Sequence, residues 1–98
     1  MKYHKKLSRT DLAKYDWKII LMMAASEFSR ANSLSGKGNG KELVNCLMRA
    51  KELLGILEIN PAIPKATAAK ILPLTLQMVN PLKVDPFYMY KNSMALAS

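Results

Sequence analysis

Leu43, Cys46, Leu47, Ala50, Leu53, Leu54 and Leu57 recur at steps of three and four. That spacing lines up side chains along one face of an α-helix and on neither face of a strand. Glu42, Asn45, Arg49 and Glu52 fall on the opposite side. The stretch therefore predicts an amphipathic helix of about four turns, whose apolar stripe needs other elements to cover it. No segment elsewhere sustains two-residue alternation with β-branched residues, so the expected fold class is all-α.

Turn signals divide the rest of the chain. Asn32-Ser33-Leu34-Ser35-Gly36-Lys37-Gly38-Asn39-Gly40 carries three glycines among small polar residues, which ends one helix and turns the chain. Before it, Trp17, Ile20, Leu21, Ala24, Phe28 and Ala31 form one face, widened by Leu12, Ile19, Met22 and Met23, and such a helix is expected to be buried on more than one side. Ser8 and Thr10 offer hydroxyl caps, which puts its expected start near Arg9 to Asp11. After the second helix, Asn60-Pro61-Ala62-Ile63-Pro64 breaks the pattern, with Asn60 able to cap and either proline suited to a first helical position. A third helix is expected to carry Ala68, Ile71, Leu72, Leu76 and Val79, with Pro73 kinking it or splitting off its first turns. Asp85-Pro86 repeats the cap-then-proline signal, and Phe87, Tyr90 and Met94 predict a short fourth helix. The sum is a small antiparallel bundle of three long helices plus a short C-terminal one, with turns near 32–40, 58–64 and 80–86. It spans residues 1–98 as a single domain, residues 1–8 being a basic, flexible lead.

At 98 residues the chain is long enough for one hydrophobic core and too short for two. Half of its residues are apolar and seven are Met, side chains that fill irregular cores and also recur on surfaces that accept peptide helices. Fifteen Lys and Arg against seven Asp and Glu give a formal net charge of +8, which draws such a chain toward nucleic acid, acidic proteins or anionic surfaces. The single cysteine, Cys46, cannot close an intramolecular disulfide, and this predicts a cytoplasmic protein. The longest apolar run, 19–25, falls far short of a membrane span, and no signal peptide is evident.

The chemistry of catalysis is missing from the pattern. Gly40-Lys41 is followed by Glu42 where a phosphate loop needs Ser or Thr, and a helical segment precedes it where that loop needs a strand. Cys46 lies on the apolar stripe, and the only histidine, His4, lies in the basic lead, so no thiol–imidazole pair is in prospect. Asp11, Asp16, Glu27, Glu42, Glu52, Glu58 and Asp85 are dispersed one or two to an element, mostly where caps or solvated faces use them. A non-enzyme is expected, with no catalytic residue, no metal site and no cofactor.

From Ile19 onward the chain resembles the flagellin export chaperones, small cytosolic helical bundles that keep flagellin unpolymerised before secretion. The residues carrying the resemblance are Ile19-Ile20-Leu21-Met22-Met23, then Leu43-Val44-Asn45-Cys46-Leu47-Met48-Arg49-Ala50-Lys51-Glu52-Leu53-Leu54, then Lys65-Ala66-Thr67-Ala68-Ala69-Lys70-Ile71-Leu72. The chain departs from the family in lacking its double glycine, in placing Pro73 within an otherwise uninterrupted helix, and in being basic where the family tends to be acidic. The resemblance implies an apolar groove that takes up a client's helix, and the positions carried over to it are Ile20, Met23, Leu47, Leu54 and Leu72.

Two functions follow as expectations. The first is a non-catalytic helical binding module, which the resemblance narrows to a flagellar or secretion export chaperone, whose partner is a client protein's helix or a second copy of the chain. The alternative is a small basic nucleic-acid-binding protein that grips phosphates through an electrostatic patch of Lys2, Lys5, Lys6 and Arg9.

Overall fold

A computed structural model describes residues 16–36, 38, 40–58, 60–80 and 83–97. Four helices and no strand occur among them: α1 (Trp17–Leu34), α2 (Gly40–Glu58), α3 (Lys65–Gln77) and α4 (Pro86–Ala97). The all-α class and the three turn positions are as the sequence predicts. The proportions differ. α1 and α2 run 18 and 19 residues, while α3 and α4 run only 13 and 12, so the bundle has two long and two short helices. α3 stops early because Met78 and Val79 donate to the carbonyls three residues back, tightening its last turn before the chain leaves.

α1 begins at Trp17 because Asp16 is its cap. Asp16 has an extended ψ of 139° and its carboxylate accepts from the Lys18 N–H at 3.1 Å. The expected start near Arg9 to Asp11 is corrected by this break, while Ser8, Thr10, Leu12 and the lead itself lie outside the described residues. α1 is the organising element, packing extensively against both α2 and α4, whereas α3 packs mainly on α2 and α4 and does so lightly. It buries Ile20, Leu21, Ala24, Ala25, Phe28 and Ala31, and its alanines let neighbouring helices approach closely. Trp17 and Met23 pack against this core while remaining partly exposed.

The connection over 35–39 is short enough to return α2 along α1 as an antiparallel neighbour. Gly36 and Gly38 both adopt left-handed φ values, 78° and 75°, a region where a Cβ is costly. α2 buries Cys46, Leu47, Ala50, Leu53, Leu54, Ile56 and Leu57, the predicted stripe with Ile56 added and with Leu43 only partly buried. In the next connection Asn60 Oδ1 accepts from the Ala62 N–H at 2.9 Å, and Ile63 closes over the core. α4 starts as its sequence predicts: Asp85 Oδ1 accepts from the Phe87 N–H at 3.0 Å, with Pro86 in the first helical position.

Packing chooses the faces of the two short helices. In α3 the buried residues are Ile71 and Leu74, followed by Met78, and of the five apolar residues that mark the helix in the sequence only Ile71 is buried. The helix is apolar around most of its circumference, so two stripes of helical spacing compete and periodicity cannot choose between them. It also runs through Pro73 without splitting; the N–H that proline lacks would have served the Ala69 carbonyl, which sits on an exposed part of the helix where water can serve it. In α4 the core contacts are Met89 and Ser93, with Phe87 and Met94 exposed and Tyr90 partly buried.

Candidate binding surface

The outward side of α3 stands out among the described surfaces. Lys65, Ala68, Ala69, Leu72, Leu76 and Val79 follow one another at helical steps and all are exposed. Leu72 is 49 %, Leu76 61 % and Val79 75 % accessible. Thr67, Ile71, Leu74 and Met78, at steps of four, three and four, take the inward side. A helix apolar on opposite sides belongs inside a protein, yet α3 is covered on one side only.

Its charge is as one-sided as its hydropathy. No acidic residue occurs between Glu58 and Asp85, while Lys65, Lys70 and Lys83 do. All three lysines are exposed, and none is ion-paired among the described residues. The start of α3 adds to this field. Its cap is Pro64, which supplies no side-chain acceptor, and its first turn holds no acid. The first N–H groups of the helix thus lack the carboxylate that Asp16 gives α1 and Asp85 gives α4.

A second feature lies beside the first. Ala69, Lys70 and Pro73 of α3 face Tyr88, Asn92 and Leu96 of α4 across an open groove, and Phe87 with Lys91 continues that side of α4. Phe87 and Tyr88 are both about half exposed, and the Lys91 ammonium sits 5.4 Å from the Phe87 ring centroid. A third hollow, between α1 and α4, is lined by Met22, Ser26, Arg30, Tyr90 and Met94.

The five positions implied by the resemblance do not come together as one groove. Ile20, Leu47 and Leu54 are fully buried core residues, Met23 is partly buried against them, and Leu72 alone is exposed, on the far side of α3. Lys2, Lys5, Lys6 and Arg9 lie outside the described residues. Leu76 and Val79, the most exposed large apolar residues among those described, belong to the spacing that marks α3 in the sequence. The signal for their position was that apolar residues occupy most sides of α3.

Glu42 and Arg49, expected on a solvated face, instead form a polar staple. Arg49 donates from Nε to Glu27 Oε2 on α1 at 2.9 Å and from Nη2 to Glu42 Oε1 at 3.1 Å, and Arg30 lies 3.5 Å from the other oxygen of Glu27. Cys46 Sγ is 3.3 Å from Arg49 Nη2. Burial pushes the Cys46 thiol above its ordinary value, with the Glu27 carboxylate adding to the effect, so the sulfur is held as a thiol at neutral pH. Among the described residues no three His, Cys, Asp or Glu side chains cluster as metal ligands, and no helix is long and apolar enough to cross a membrane. Comparison with known protein families, with curated proteins and with solved structures finds no match for this chain.

Proposed function

We propose that this protein is a non-catalytic helical binding module that takes up an amphipathic segment of another protein on the outward face of α3. One observation carries the reading: Leu72 and Leu76 on α3, and Val79 in the turn that ends it, are exposed in register, while the opposite side of the helix is already packed. Exposed aliphatic residues at helical spacing are the anchors of helix-in-groove recognition. In the cytoplasm such a module would act as a chaperone or adaptor, and the resemblance to the flagellin export chaperones makes a subunit awaiting secretion one class of client. The client would sit on α3, since Ile20, Leu47 and Leu54 are occupied with the core.

Titration calorimetry of the full chain with synthetic amphipathic helices tests this. Binding is expected with a negative heat-capacity change and little response to salt beyond that of flanking charges. A panel of such helices that all fail to bind overturns it.

A second reading has its own observation. Phe87 and Tyr88 are exposed side by side, with Lys70, Lys91 and Asn92 around them, the pairing of stacking surface with cations used to hold single-stranded nucleic acid. In that case oligonucleotides would bind with steep salt dependence, and Tyr88→Ala would weaken them.

A further inference from the structure

Resting on the protein-binding reading, we infer that the segment taken by α3 is an acidic amphipathic helix, with its aliphatic stripe on Leu72, Leu76 and Val79 and a carboxylate toward the Lys65 end. The charge around the stripe selects this partner. The 26 residues of 59–84 contain three lysines and no acid, and the positive end of the α3 dipole is neither capped by a side chain nor neutralised by an acid in its first turn. An apolar helix with Glu or Asp at one end satisfies both at once: its leucines cover the stripe while its carboxylates meet Lys65 and the N–H groups that follow Pro64.

The other occupants fit the charge poorly. A second copy laid against α3 brings its own Lys65 to the same surface and joins two chains of net charge +8. The segment preceding Asp16 carries Lys2, Lys5, Lys6, Arg9 and Lys14 against Asp11, so covering α3 with it also juxtaposes like charges. Position adds direction. Lys65 precedes Leu72 by seven residues on the same face, about 10 Å along the helix axis. The partner's acidic group therefore sits about two turns from the leucine that meets Leu72.

The test uses the full chain and two synthetic helices of about 18 residues. They share one leucine stripe and carry either Glu or Lys at every flanking position. Fluorescence anisotropy near 150 mM salt is expected to show the Glu helix binding about tenfold more tightly than the Lys helix. Leu76→Ser should abolish that binding with an unchanged melting temperature, because Leu76 is outside the core. Lys65→Glu should reverse the preference. Equal affinity for the two helices, or a preference that survives Lys65→Glu, overturns the acidic partner while leaving protein binding at α3 intact. No binding by either helix removes the protein-binding reading as well. A dimer in sedimentation velocity that Leu76→Ser disperses makes a second copy the occupant and overturns the inference.

Discussion

Arg49 on α2 and Glu27 on α1 meet at 2.9 Å, with their side chains only 19 % and 13 % accessible, and this pair ties together the two longest helices of the bundle. Removing Arg49 strips Glu27 of its cross-helix partner and Glu42 of its donor. Arg49→Ala is expected to lower stability by about 1–3 kcal/mol at neutral pH, read from urea unfolding. The same staple shapes the acid limb. The hydrogen bond from Arg49 holds the Glu42 carboxyl below its usual value near 4.5, so its contribution is present above the unfolded-state value and is lost as pH falls through the lower, folded one. The urea midpoint should therefore fall below about pH 4.5, and that fall should be shallower in Arg49→Ala. An acid limb of equal steepness in both proteins would show that the staple does not set it.

Leu54 and Leu76 are chemically identical and differ only in what covers them. Leu54 is sealed in the core, and Leu76 projects from α3. Truncating Leu54 to Ala should cost about 2–5 kcal/mol, and truncating Leu76 to Ala should change stability by less than about 0.5 kcal/mol. Thermal unfolding of the two variants checks both values. Comparable losses would mean that α3 is turned with its other side inward.

Ser93 is fully buried where α4 packs on the bundle, and its hydroxyl has no hydrogen-bond partner among the described residues. A buried hydroxyl without a partner keeps its desolvation cost. Ser93→Ala should thus leave stability unchanged or raise it by up to about 1 kcal/mol, while Ser93→Leu should lose about 1–3 kcal/mol through overpacking. The melting temperatures of the three proteins, ranked Ala at or above Ser and both above Leu, are the expected result.

How far the sequence reaches depends on how polar each helix is. α2 has a charged side, so its stripe could face only one way, and the predicted core residues Cys46, Leu47, Ala50, Leu53, Leu54 and Leu57 are all buried. Asp85-Pro86 also read correctly, because a carboxylate before a proline combines an acceptor for the first N–H groups with a pre-set φ. α3 offered no such asymmetry. With leucines, an isoleucine and alanines on most sides, its orientation depends on which stripe the other helices accommodate, and that is a tertiary choice. Arg49 shows the converse. Its place opposite the stripe suggested solvent, and only the approach of Glu27 from another helix draws it into a network.

The light attachment of α3 also makes the bundle mechanically uneven. α1 is clamped between two neighbours, so separating it dismantles the whole interior, whereas α3 is anchored chiefly by Ile71, Leu74 and Met78. Its amide protons can therefore open to solvent at a free energy well below that of global unfolding, as a small cooperative unit of its own. A partner seated on its outer side would add a second set of anchors, so occupancy would register as slowed exchange along α3 and leave the rates in α1 where they were.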